Sequence, residues 1–202
     1  MTIYSALINA LWLALFAYWM IAAIGAKRNV RTGLRLKGNG LRLGVIILMV
    51  LSLRMIPALR QSLHNAQAHL SGSSFLGATG VVLCALGVGL ALWARVHLGR
   101  NWGMPMSTKE NPELVTTGPY AFVRHPIYTG ILLAMLGTAV GENVSWVLPL
   151  VLFGCYFIYS ARREEELMLR QFPEQYPAYM RRTNMLVPRM LGARDAGNAD
   201  RR

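Results

Sequence analysis

Apolar residues in this chain fall into long unbroken runs separated by short polar segments. They show neither the 3.6-residue stripe of a soluble amphipathic helix nor the alternation of a strand. A run of about 20 apolar residues is what a helix needs to cross some 30 Å of hydrocarbon. The pattern predicts helical spans over residues 4–24, 41–59, 75–93, 126–141 and 144–161. The expected fold class is therefore all-α: a polytopic membrane protein of about five transmembrane helices, one domain over residues 1–190. The tail, 191–202, is small and polar and is predicted to be disordered.

Basic residues orient the spans. Lys27, Arg28, Arg31, Arg35, Lys37 and Arg42 follow the first run without an acid among them, which places that segment in the cytoplasm and the N-terminus outside. Five crossings then put the loop 95–124 and the C-terminal segment on the cytoplasmic side too. The first run has no basic residue before it and is long enough to span, so no cleavable signal is expected. Arg54 lies toward the outer end of the second span, where it can snorkel, and Pro57 can kink that helix. Gly77, Gly80, Gly87 and Gly89 in the third span, and Gly130, Ala134, Gly137 and Gly141 in the fourth, predict close helix packing.

Composition agrees. Of 202 residues, 54% are apolar and 15% charged, and the net charge is +12. In a soluble protein such a charge would suggest nucleic acid; here the basic residues sit between apolar runs, the signature of topology. No nucleic-acid partner is expected. Cys84 and Cys155 lie inside apolar runs, and His64 and His69 do not share a helical face or a carboxylate neighbour, so no metal site is expected.

The stretch 113–130 departs from this plain pattern. Pro126 suits the first helical position, with His125 as the flanking residue, so a polar loop feeds directly into the fourth span. The N–H groups of Ile127, Tyr128 and Thr129 then lie at the positive end of the helix dipole, where an anionic group would sit, and Arg124 and His125 add donors. The preceding loop, with Arg95, His97, Arg100, Asn101 and Trp102, is longer than a connection needs and reads as a lid or binding segment.

A second polar constellation follows the fifth span. Glu166 has Arg162, Arg163 and Arg170 at three- and four-residue offsets and is accounted for; Glu165 has Arg162 alone, and Glu164 has no such partner. One of the latter two is available for other work. Glu165 shares its helix face with Met168, Leu169, Phe172 and Tyr176, which points it toward the protein.

Together, Gly118-Pro119-Tyr120, Val123 through Gly130, the Glu164-Glu165 pair before Phe172, and then Tyr176, Tyr179, Arg182 and Pro188 resemble the isoprenylcysteine carboxyl methyltransferase family. The resemblance covers residues 92–190. It implies a membrane methyltransferase of the prokaryotic branch, in the bacterial inner membrane, using S-adenosyl-L-methionine at the cytosolic face. Carried onto this chain, Leu114, Val115, Gly118 and Tyr120 would line the cofactor. His125 and Pro126 would receive its amino-acid end, and Tyr128 and Gly130 would shape the wall. Glu165 would bind its polar groups, Tyr176 and Tyr179 would close over it, and Arg182 would orient an anionic acceptor. Thr183 and Asn184 stand where eukaryotic members have Val-Pro, so the path of the C-terminal segment is not carried over, nor is any contact by Glu113.

The expected reaction is O-methylation of a carboxylate on a lipophilic or lipidated acceptor that enters from the membrane lipids. A lipid amine or small thiol is the alternative acceptor and would require a general base, for which Glu165 and His125 are the catalytic candidates. A small transporter or non-catalytic subunit is the alternative class; the first, third and fifth spans carry essentially none of the midplane polar groups that transport needs.

Overall fold

A computed structural model describes residues 2–24, 73–99, 113–142 and 144–189. Five helices carry the fold: α1 (Ile3–Ile24), α2 (Ser74–Leu98), α3 (Pro126–Gly141), α4 (Val147–Gln171) and the short α5 (Gln175–Arg182). Turns of 3-10 helix at Gly118–Ala121 and Val144–Trp146 precede α3 and α4. Among the described residues, three segments are long and apolar enough to cross a membrane: Ile3–Ala22, Ser74–Leu98 and Val144–Gln171. Pro126–Gly141 is apolar but shorter. The expected span 41–59 with Arg54 and Pro57, the basic segment before it, His64, His69, most of the 95–124 loop and the tail lie outside the described residues.

Small residues decide how α2 and α3 meet. Gly80, Cys84, Gly87 and Ala91 on α2 face Gly141, Gly137, Ala134 and Gly130 on α3, both series spaced by four, three and four residues. The two helices run antiparallel with backbones in contact. A Cβ placed on Gly87 would strike the Ala134 nitrogen and Gly130 oxygen, and one on Gly137 would strike Cys84. Without a hydrophobic drive between helices in lipid, such close approach supplies the packing energy. Gly77 instead takes the Tyr4 ring of α1, and Gly89 faces open space.

α1 runs parallel to α2, closing a core of Ile8, Leu15, Cys84, Val88, Ala91 and Ala134. α2 continues five residues past the expected end at Trp93 because Arg95 has work at its terminus. Only 3% exposed, Arg95 donates to Gly99 O at 2.9 Å and to Ala22 O at 2.7 Å, bringing a cation to the carbonyl ends of α1 and α2 together. α4 returns along α3, where Phe157 and Ala161 pack on Tyr128. Its charged last third stays helical beyond the apolar run, with Arg163 and Glu166 paired at 3.0 Å on the exposed face.

Leu13, Phe16, Met20, Ile21, Val82 and Leu86 are all exposed, a distribution that suits a lipid-facing surface. Replacing Gly87 with leucine is expected to cost at least ~2 kcal/mol through overpacking against backbone, whereas Gly89→Leu is expected to leave stability within ~0.5 kcal/mol. Thermal unfolding of the two variants in detergent measures the difference.

Candidate active site

The site is built from the start of α3, the polar third of α4 and the segment after α5. Val123 and Asn184 form a parallel bridge. The Arg124 N–H donates to Asn184 O at 2.9 Å and the His125 N–H to Met185 O at 3.0 Å. His125 is the N-cap and buried Pro126 the first helical residue, as the sequence predicts. With this backbone held, the side chains of Arg124, His125 and Tyr128 project toward α4.

There they meet two adjacent carboxylates. Arg124 Nε donates to Glu165 Oε1 at 2.7 Å, and its Nη1 donates to Met180 O at 3.4 Å and also to Thr183 O. His125 Nε2 lies 3.3 Å from Glu165 Oε1, while its Nδ1 lies 3.6 Å from Glu164 Oε2. Tyr128 Oη donates to Glu164 Oε1, which also accepts from Ser160 Oγ at 3.2 Å. Three residues apart at a helix start, His125 and Tyr128 share a face; their rings stack at 5.5 Å, and Tyr128 stacks on Phe157 at 4.5 Å. Glu165 keeps 8% of its side chain exposed and Glu164 25%, so Glu165 is the enclosed partner and Glu164 the accessible one.

A cavity of about 930 Å³ opens at this cluster. Its polar end is lined by Leu114, Val115, Tyr120, Arg124, His125 and Glu164, with Tyr176 and Tyr179 closing one side. Beyond Tyr128 the lining turns apolar through Ile131 and Met135 along α3, reaching Trp12 of α1, whose indole donates to Thr138 Oγ1 at 3.0 Å. Burial raises the phenol pKa of Tyr120, Tyr176 and Tyr179, the last to about 12. Tyr179 therefore remains a neutral donor, and it holds Tyr120 O at 2.7 Å, tying α5 to the Gly118–Ala121 turn.

Of the residues predicted from sequence, Leu114, Val115, Tyr120, His125, Tyr128, Tyr176 and Tyr179 line this cavity. Pro126 is buried behind it as the helix start. Gly118 sits at φ 59°, where glycine is favoured, with the His97 ring where a side chain would be; it shapes the turn. Gly130 faces Gly87 and Ala91 in the α2–α3 contact. Glu165 lies behind Arg124 and His125, and Arg182 stands exposed at the end of α5, in a separate pocket of Leu114, Thr116, Gln175, Ala178, Tyr179 and itself.

Glu164 and Arg124 are at the cavity although neither was placed in the predicted set. The missing three- and four-residue ion partners of Glu164 were the available signal. Glu113 is also at the cavity wall. Among the described residues no group of three or more His, Cys, Asp or Glu is arranged to hold a metal ion.

Residues 75–175 match the family model described as phospholipid methyltransferase. A nickel-cobalt-cadmium resistance protein, NccN, of Alcaligenes xylosoxydans xylosoxydans is 33% identical over 126 residues, 61% of this chain and 59% of that protein. A protein-S-isoprenylcysteine O-methyltransferase of Schizosaccharomyces pombe is 33% identical over 110 residues, 52% of this chain and 46% of that one. The chain spans about half the length of the curated relatives it matches. A solved structure of the eukaryotic intramembrane Ras methyltransferase ICMT aligns with a TM-score of 0.49 and 22% identity, covering 79% of this chain and 54% of that one. The family match takes in both the Gly118-to-Gly130 stretch and the carboxylate pair of α4, and the chain belongs to the phospholipid methyltransferase family, alongside the isoprenylcysteine methyltransferases its motifs resemble.

Proposed function

We propose that this chain is an S-adenosylmethionine-dependent methyltransferase working at the cytosolic face of a membrane on a lipophilic acceptor, with a carboxylate as the methylated group. One observation carries the reading: two neighbouring carboxylates of α4 meet Arg124, His125 and Tyr128 at the polar end of a cavity that is otherwise apolar. Three features support a single working face. α1 and α2 run parallel, with Tyr4 against Gly77 at one end and Ala22 bonded to Arg95 at the other. The C-terminal ends of α1, α2 and α4 and the start of α3 share one end of the bundle. Among the described residues, the basic side chains of Arg95, Arg124, Arg162, Arg163 and Arg170 gather toward that same end.

The residues present fit the cofactor. Glu164, accessible and anionic, suits the ammonium or sulfonium of S-adenosylmethionine. Tyr120, Tyr176 and Tyr179 offer ring faces for adenine beside Leu114 and Val115. His125, Arg124 and the start of α3 offer donors for its carboxylate. When bound, it supplies a methyl group already activated on sulfur. What remains for the protein is to hold donor carbon and nucleophile ~3 to 3.5 Å apart and in line. Glu165 does this indirectly, by fixing Arg124 and His125. Tyr176 and Tyr179 exclude water from the polar end. Arg182, across the shared wall of Leu114 and Tyr179, draws an anionic group from the water side. A carboxylate nucleophile needs no proton removed, so no general base is required of the site.

Calorimetry in detergent is expected to show S-adenosylhomocysteine binding to the native chain and affinity at least ~10-fold weaker in Glu164→Gln and in His125→Ala, about 1.4 kcal/mol each. No binding by the native chain, or unchanged affinity in both variants, overturns the assignment. Incubation with S-adenosylmethionine and fractionated lipid extracts is expected to release demethylated cofactor with the carboxylate-bearing fractions; release with amine or thiol fractions instead would identify the other acceptor. Glu165→Ala strands Arg124 without its carboxylate and is expected to destabilise the fold by ~3 kcal/mol, read as a lower unfolding temperature.

A further inference from the structure

After α5, four consecutive backbone carbonyls all end on the beginning of α3. Thr183 O accepts from Arg124 Nη1, Asn184 O from the Arg124 N–H at 2.9 Å, Met185 O from the His125 N–H at 3.0 Å, and Leu186 O from the Thr129 hydroxyl at 2.6 Å. From this geometry we infer that residues 183–186 are a strap that sets the orientation of Arg124 and His125, and that Thr129 is the positioning residue that latches it.

The Thr129 hydroxyl has one proton and two acceptors within reach. A threonine inside a helix ordinarily bonds back to the carbonyl four residues earlier. Here that acceptor, His125 O, is 3.2 Å away and Leu186 O is 2.6 Å away, so the proton points out of the helix and onto the strap. Met185 and Leu186 also pack their side chains on the Tyr128, Phe157 and Ala161 cluster, which keeps the strap in register with α4 as well as α3.

The strap reaches the chemistry through its neighbours. Arg124 Nη1 is anchored on Thr183 O while its Nε holds Glu165, so a shift of the strap moves the guanidinium and the enclosed carboxylate together. His125 takes its backbone position from Met185 O, and its ring stands between Glu164 and Glu165. Thr183 is itself pinned, its hydroxyl donating to Tyr179 O at 2.8 Å, so the strap is tied at one end to α5 and at the other to Thr129. The path of this segment, where the chain departs from eukaryotic members of the family it resembles, thus has a defined role. This inference rests on the methyltransferase reading for its functional consequence, and on hydrogen bonds for its existence.

The test uses the full chain in detergent with Thr129→Val, which keeps the shape and removes the donor, and Thr129→Ser, which keeps the donor. Amide hydrogen exchange, S-adenosylhomocysteine affinity and unfolding temperature are measured on each. In Thr129→Val, exchange at Arg124 and His125 is expected to rise about tenfold and affinity to fall about tenfold, the scale of one hydrogen bond lost from a partly buried acceptor. Exchange in the α2–α3 contact and the unfolding temperature are expected to stay near native, and Thr129→Ser is expected to restore both local values. Native exchange and affinity in Thr129→Val overturn the strap, as do equal losses in the two variants or faster exchange throughout the bundle. If the native chain binds no S-adenosylhomocysteine, the functional reading fails, and the strap stands or falls on the exchange comparison.

Discussion

Two carboxylates side by side at the edge of a bilayer are tolerable only if something faces them. Removing a carboxylate from water costs several kcal/mol unless charge and hydrogen bonds replace the lost solvent. Glu165 meets this requirement with Arg124 and His125, and Glu164 meets it in part with Tyr128, Ser160 and the far side of the same imidazole. The α3 start therefore cannot slide along α4 without stranding a charge. That restriction, more than the apolar contact between the helices, sets how the two halves of the site register.

The frame behind it has the opposite character. α2 and α3 touch through glycine, alanine and Cys84 along their shared length, backbone against backbone. Sixteen residues of α3 rise about 24 Å, less than the ~30 Å of a hydrocarbon core. This shorter helix packs along the longer α2. The polar cluster at its start opens directly into an apolar cavity, the geometry that the proposed lipophilic acceptor and water-soluble cofactor would both require.

The sequence made some of this legible. Proline announces where α3 begins, because its ring and missing N–H suit the first helical position and little else, and the structure starts the helix there. The small-residue spacing announced close packing on both helices, Gly130 included, though not that they would meet each other, nor that Gly89 would fall off the face; the cavity wall that the resemblance implied for Gly130 is not where it stands. The choice between Glu164 and Glu165 could not be made from one helix. Adjacent residues differ by about 100° in direction, and which of them faces a cavity depends on where the partner helix crosses. The face argument pointed Glu165 toward the protein, and it is indeed the enclosed one; being enclosed is what takes it away from the cavity wall. Arg124 was visible as a donor beside His125, but its three partners, on α4, in α5 and just after it, are 41, 56 and 59 residues away and have no local signal.

The same limit applies with more force to residues 183–186. Their side chains, Thr, Asn, Met and Leu, carry no motif, since the strap works through backbone carbonyls that every residue has. A substitution that preserves the backbone path keeps all four acceptors, so departures from a relative's sequence here need not alter what those carbonyls do. Side-chain chemistry is concentrated where charge must be matched, on Arg124, His125, Tyr128 and the two glutamates, and the geometry that aims it is supplied by backbone carbonyls, held in place by the Thr183 hydroxyl and the packing of Met185 and Leu186. Reading the glutamates as a site and the strap as a mere tail would separate two halves of one device: the ion pair fixes which groups meet, and the carbonyls fix the direction from which they do so.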